Sequence, residues 1–450
     1  MNDDRARDAL TLAEAALAYA QREGVSEAEA LVMADDSALT RFANSEIHQN
    51  VAESNVVINL RVVVGKRVGV ASSGRTDEEG LRRLAENAAA IARVVEELDD
   101  WAGLPGPTEI QDVAAAYSAA TAGASPEFRA EAVRAVIGAA DDAGVTAYGS
   151  FATGTESVAV ANSAGTLAAG TRTTSQLITV SMGPGGGSGY AESAAVDATT
   201  IDAAAIGREA AGKAGATANA ISIEPGDYPV VLEEYAVVDL LDMLGYLGFS
   251  ALAVQEERSF FEPGKRIGSD LVTIVDDGYD PAGLPIWFDY EGVAKQRVAL
   301  IERGLCRNVV YDAQTAARDG VASTGHGLPA PNPYGPFPIN MFMDAGTSSR
   351  EALIGGLDRG LLVTRFHYTN PVHPKLAIVT GMTRDGTFLV EGGELVGPVK
   401  NLRYTQSYLE ALAGTVAVAS ERKTLRGFLG GVVVPALRID GWTFTGGTEH

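Results

Sequence analysis

Few residues in this chain have the right chemistry to act on a substrate, and their spacing narrows the choice further. There are five histidines, at positions 48, 326, 367, 373 and 450, and no HExxH or HExxxH pair. The helical two-imidazole zinc site is therefore absent. His367 and His373 bracket the segment HYTNPVH. On an uninterrupted strand they would face one side but stand roughly 20 Å apart. A shared metal would need a tight turn at Asn370-Pro371. His326 lies in Ser323-Thr324-Gly325-His326-Gly327, just before a loop with five prolines, LPAPNPYGPFPIN. A serine near a histidine is not a triad without a third group and a defined elbow. That loop reads instead as a semi-rigid cover, with Tyr334 and Phe337 over a cleft or a partner. The single cysteine, Cys306, excludes an internal disulfide and any four-cysteine metal site, and reads as a buried, inert thiol. Asp276, Asp277 and Asp280 cluster around Gly278 but lack the alternating ligands and closing glutamate of a calcium loop. They read as a turn. GPGGGSG at 183–189 has Ser188 where a dinucleotide fingerprint needs its third glycine, and there is no GxxxxGK[ST] phosphate loop.

The elements that must position these groups are legible from periodicity. Helical spacing runs over 3–24, 77–99 (capped by Thr76 or Asp77), 126–142 and 201–217. Between the helices lie β-type runs, which read as four strands per unit. The order helix, four strands, helix occurs twice, and each copy carries Ala-Asn-Ser, at 43–45 and 161–163. A duplication with a joint antiparallel sheet is one reading of that pattern. After Glu224-Pro225-Gly226-Asp227 come short strand-like segments with Gly, Pro and Asp punctuation, suggesting a sandwich or barrel. One helix, at 234–248, interrupts them. The expectation is an α+β fold with units at 1–105, 106–222 and 223–450. The first two are mixed α/β and the third is β-rich.

Composition limits the function classes. Lys plus Arg is 35 against 58 Asp plus Glu, a formal net charge of −23. That balance disfavours nucleic-acid backbones and anionic lipid surfaces as partners. No apolar run is long enough to span a bilayer, and MNDDRARDAL lacks the basic start and apolar core of a secretory signal. Together with the lone cysteine, this gives a cytoplasmic expectation.

Longer stretches carry a family likeness. DYPVVLEEYAVVDLLDML, GFSALAVQEERSFFEPGKRIGS, FDYEGVAKQRVALIERGLCRNVVYDAQTAAR, STGHG and TRDGTFLVEGGELVGPVKNLRYTQSYLEAL resemble the TldD/PmbA family, as does the early RFANSEIHQN. The resemblance runs in order from about Leu10 to Gly441. It implies a carboxy-terminal domain of the TldD/PmbA type and a choice between two branches. TldD-type chains carry HExxxH on the helix opening that domain, with a later cysteine completing a zinc site. TldE/PmbA-type chains lack those ligands and pair with a TldD chain. Here the corresponding helix reads DLLDMLGYLGFS, Asp239 to Ser250, and Asp242, Met243 and Leu247 offer no equivalent ligands. Cys306 falls upstream of the family's ligand cysteine. The resemblance thus implies a non-catalytic, TldE/PmbA-like subunit of a zinc metallopeptidase that hydrolyses unfolded or modified peptides. Its TldD-type partner would hold the zinc. This chain would have no catalytic or metal residues of its own and would contribute to the substrate channel. Two alternatives stay open. One is a self-sufficient hydrolase of a peptide-like metabolite, with a rebuilt site at His326, His367 and His373. The other is a homodimeric binding or scaffold protein.

Overall fold

Alanine-rich amphipathic segments and long β-branched runs build the first 222 residues into one layered unit. In the computed structural model, which describes residues 2–447, the chain opens with α1 (Asn2–Arg22). Then come β1 (Glu27–Ala43), β2 (Glu46–Val64), β3 (Arg67–Ser73) and α2 (Glu78–Val94). Asp77 caps α2 by accepting the Gly80 N–H. After the linker and a one-turn α3 (Ala119–Ala122), α4 (Pro126–Asp142) leads to β4 (Thr146–Asn162), β5 (Leu167–Met182), β6 (Ser188–Ala195) and α5 (Ala203–Ala216). Ser125 caps α4 and Pro126 fills its first turn.

These six strands form one antiparallel sheet in the order β3-β2-β1-β4-β5-β6, symmetric about the β1–β4 seam. The two Ala-Asn-Ser triplets end β1 and β4, the equivalent first strands of the two copies. Each copy has three strands, where the sequence pattern suggested four. The polar residues read as breaks lie inside long strands and pair across them, as Glu156 does opposite Arg172. GPGGGSG makes the β5–β6 turn. One face of the sheet packs on the helices, with Ala13, Ala16, Leu60 and Leu84 in one core and Val136, Phe151 and Ala210 in another. The other face meets the rest of the chain through Leu31, Val160, Trp287 and Phe288.

The remaining residues supply β7 (Gly226–Leu232), α6 (Glu234–Gly248), β8 (Ile274–Asp276), β9 (Val298–Glu302), β10 (Leu305–Cys306) and β11 (Asn340–Met343). They continue with β12 (Arg359–His373), β13 (Ile378–Glu391), β14 (Glu394–Pro398), β15 (Leu402–Ser407), β16 (Thr415–Arg426) and β17 (Gly431–Gly447). Strand β17 pairs with both β15 and β7, so β17-β15-β13-β12-β7 close into a ring, the barrel of the two sequence options. Strands β11, β8, β9 and β10 extend it from β17, β16 flanks β17 and β14 flanks β13. Four further short helices, at 251–255, 313–319, 350–355 and 408–413, were not expected from the sequence. Helix α6 is buried along almost its whole length. Its Val237, Leu240, Leu241 and Leu244 join Val230, Leu361, Leu437 and Trp442 in the largest core. Burying each such side chain contributes about 1.5–3 kcal/mol. No described helix is long and apolar enough to cross a membrane.

Candidate functional site

Helix α6 is the element where the sequence places the decisive chemistry. Beyond Glu234 at its first residue, the largely apolar helix carries Asp239 and Asp242 three residues apart, so they project to neighbouring positions on one side. Asp239 Oδ1 accepts the Tyr408 hydroxyl at 2.9 Å. Tyr408 in turn touches Tyr404 at 3.0 Å, and Tyr404 touches Thr369 at 3.1 Å. Burial pushes Asp239 up to about 6 against the stabilising hydrogen bonds of Thr369 and Tyr408. Asp242 is raised further, to about 8, by burial and then by the nearby charge of Asp239. It accepts the Phe428 N–H at 3.0 Å from the turn between β16 and β17. A Cβ on the adjoining Gly427 would stand 2.6 Å from Asp242 Oδ1 and 2.7 Å from Val432 Cγ2, so a larger residue there would push on the carboxylate.

This donor set does not fit zinc. Both carboxylates are engaged by protein donors, no imidazole accompanies them, and no group of three His, Cys, Asp or Glu suited to a metal occurs among the described residues. Met343 and Met243 are core residues.

At the amino-terminal end of α6 the charges are matched. Lys213 Nζ bonds Glu209 at 2.8 Å and Glu233 at 2.6 Å, and Lys423 Nζ reaches Glu209 and the Tyr235 hydroxyl. Burial opposes ionisation of Glu209, yet Lys213 and Lys423 hold it down to about 2. Glu209 and Lys423 of this network line a cleft of about 570 Å³ between β6 and β16, together with Glu192, Asp202 and Arg422.

The other sequence candidates are dispersed. His326 is buried, with Nε2 2.8 Å from Asp276 Oδ1 and Nδ1 2.9 Å from the Thr324 hydroxyl. Lys295 Nζ is 3.5 Å from the same carboxylate. Burial opposes ionisation of Asp276, but Lys295 and His326 keep it well below the usual carboxylate range. Burial, and then Lys295, lowers His326. The Thr324 hydroxyl is held by the backbone of Tyr311, accepting its N–H at 2.7 Å, and Ser323 donates to the Tyr311 carbonyl. His367 and His373 stay on β12, opposite Met382 and Ile378 of β13, and the strand continues through Asn370-Pro371 without a turn. His326 therefore shares no metal-binding group with them. His48 is exposed on β2, and His450 lies outside the described residues. Cys306 is buried in β10, and burial raises its thiol. Asp277 and Asp280 accept the Tyr279 and Ala282 N–H groups as turn residues. In the proline-rich loop Phe337 is buried and packs over Gly245 of α6, while the exposed Tyr334 ring meets Tyr246.

The family-like motifs tie the two halves together. Asp289 accepts N–H groups from Glu291, Val293 and Gly327. Glu291 meets Arg61 of β2 at 3.1 Å, and Arg61 meets Glu29 of β1 at 2.7 Å. Sequence reading missed this trio, because nothing local to Arg61 signals a partner 230 residues away. The signal for Asp239 and Asp242 was present: two acids one turn apart in an apolar helix.

Residues 225–446 match the PmbA/TldA metallopeptidase C-terminal domain, and residues 28–92 match PmbA/TldA metallopeptidase domain 1. The Metalloprotease TldD homolog of Haemophilus influenzae is 30% identical over 268 residues, 55% of this chain and 54% of that protein. Metalloprotease MJ0996 of Methanocaldococcus jannaschii is 25% identical over 210 residues, 46% of each chain. The chain thus spans about half the length of these curated relatives. The solved structure of TldE from Thermococcus kodakarensis shares the fold, with a TM-score of 0.88 at 22% identity over 96% of this chain and 99% of that one. With two family domains matched in order across more than half of its length, the chain belongs to the TldD/PmbA family of metallopeptidases.

Proposed function

We propose that this chain is the TldE/PmbA-type, non-catalytic subunit of a heteromeric zinc metallopeptidase. It would pair with a TldD-type chain that holds the zinc and hydrolyses unfolded or modified peptides in the cytoplasm. The observation that carries this reading is the filling of α6. Asp239 and Asp242 sit on the helix where TldD-type chains are expected to hold zinc, and Tyr408 and the Phe428 N–H occupy them. The likeness in fold to a chain named TldE agrees with it. In such a pair this subunit supplies shape: a wall of the substrate channel, held rigid by the charged network around Glu209.

The test is metal content by elemental mass spectrometry with peptide hydrolysis, on the lone chain and on the chain co-purified with the TldD-type protein of the same genome. About one zinc per pair, none in the lone chain, and hydrolysis only by the pair is the expected result. Stoichiometric zinc in the lone chain, or hydrolysis by the lone chain that is lost on replacing His367 and His373 by alanine, would overturn it.

A further inference from the structure

Strand β2 outruns its neighbour. On one side it pairs with β1 from Glu46 to Val63, but on the other β3 covers only Ile58 to Val64. The backbone direction of the remainder follows from the register. The Ser163 N–H bonds the Ala28 carbonyl at 2.8 Å, so even residues of β1 turn to β4 and odd ones to β2. Val51, Glu53 and Asn55 face Leu39, Ser37 and Asp35 and bond to β1. Asn50, Ala52 and Ser54 therefore direct their N–H and C=O groups to an open edge. A bulge at His48 bounds the stretch on one side, and Gly74 approaches the Val56 carbonyl on the other. Between them, QNVAESN carries one charge, Glu53, and no lysine, arginine or proline to block the edge further.

The duplicated unit supplies an internal reference. Strand β6 likewise covers only Ser175 to Met182 of β5. The uncovered residues Ala168–Thr174 are nevertheless buried or half-buried, whereas 46–57 of β2 are exposed apart from the half-buried Val51 and Val56. The chain itself closes the β5 vacancy, through Ser118 bonding Thr173 at 2.9 Å and through Ala116 and Trp287 packing by Ala168. Among the described residues, nothing covers the equivalent place beside β2, whose residues 52–55 are exposed.

We propose that residues 49–55 of β2 are a docking edge, and that a β-strand of the TldD-type partner seats there, in line with β3. This rests on the heteromeric reading above. Charge selects that occupant over a second copy. Self-pairing about Ala52 would set two Glu53 carboxylates diagonally across the seam, about 7–8 Å apart by sheet geometry, between chains each carrying −23. The partner strand is expected to place lysine or arginine opposite Glu53.

The experiment uses the full chain and the TldD-type protein of the same genome. Affinity is measured for the wild type, Ala52→Pro and Ala52→Val, and amide exchange is followed across 49–55. Proline at position 52 removes only an outward N–H, which an edge strand tolerates, and valine restores that donor. Expected are a tenfold or greater loss of affinity for Ala52→Pro, near-wild-type binding for Ala52→Val, and slowed exchange across 49–55 in the complex. A heteromer that forms with unchanged affinity for Ala52→Pro and unchanged exchange would overturn the docking edge and leave the heteromeric reading standing. No heteromer with the wild type would remove both. A homodimer of the lone chain that Ala52→Pro dissociates would assign the edge to a second copy and overturn the proposed occupant. If Ala52→Pro fails to fold, the exchange of the wild-type complex decides alone.

Discussion

Two groups of buried ionisable residues lie in the same half of the molecule, and they are built on opposite rules. Around Asp276 each charge has a partner: His326 and Lys295 meet one carboxylate oxygen, and the Asn340 N–H meets the other at 2.7 Å. Around α6, the half-buried Asp239 and the buried Asp242 have only neutral donors and each other. The difference shows in the direction of their titration. Burial disfavours ionisation at both sites, but a nearby cation lowers Asp276 while its absence leaves Asp239 and Asp242 high. A matched cluster fixes structure. An unmatched pair does not strengthen the fold when ionised, and here it occupies the helix that in TldD-type relatives is expected to carry metal ligands.

Removing one member of the matched cluster should give the largest effect. Asp276→Asn leaves Lys295 buried without its counter-charge, a change expected to cost about 3–5 kcal/mol, measured by urea denaturation at pH 7. An effect below about 1 kcal/mol would show that the cluster is not the tie it looks like. A smaller loss, about 1–3 kcal/mol from overpacking, is expected for Gly427→Ala, whose Cβ would press on Asp242. Gly441→Ala, with nothing within 4 Å of its added Cβ, is the control and should change little.

Much of this contrast was hidden in the sequence, for physical reasons. Helix α6 was legible over 234–248 because its hydrophobic run is long and bounded. Asp242 was read only as no substitute for a zinc ligand, Asp239 was not singled out, and the partners of both are remote in sequence. The Phe428 N–H lies 186 residues from Asp242, and the Tyr408 hydroxyl 169 from Asp239. The helices of the first half were readable from alanine-rich periodicity. Its strands were read too short, because Asp35-Asp36-Ser37 and Gly154-Thr155-Glu156 look like punctuation. They face one another across β1 and β4 in continuous pairing. Closure of the barrel depends on β7 meeting β17, a contact between Leu232 and Leu437 that no local pattern encodes. His326 was noticed for the serine nearby, yet Asp276, 50 residues earlier, defines its role.

The smallest predicted effect separates the two groups by pH. Asp242 is raised to about 8 in the folded chain, against roughly 3.9 for an unperturbed aspartate. Between those values the native state keeps a proton that the unfolded state has released. Stability from this group is therefore fully present at low pH, falls as pH rises, and is lost above about 8. Asp289, also raised to about 8, and Asp239, raised to about 6, slope the same way. Asp276 and Glu209 are held low, and their contribution is lost only in acid. Between pH 6 and 8 Asp239, Asp242 and Asp289 each steepen the fall of stability with pH, by at most about 1.4 kcal/mol per pH unit, while His326 and His367, held below the ordinary imidazole value, act in the opposite direction. Asp242→Asn removes one share, so its stability curve from urea melts at pH 6, 7 and 8 should be flatter than the wild type by up to that amount. At pH 8 the variant should equal or exceed the wild type, because an asparagine carbonyl still accepts the Phe428 N–H with no charge to bury. An unchanged slope would mean that Asp242 ionises freely in the folded chain, and the unmatched pair would then be no different from the matched one.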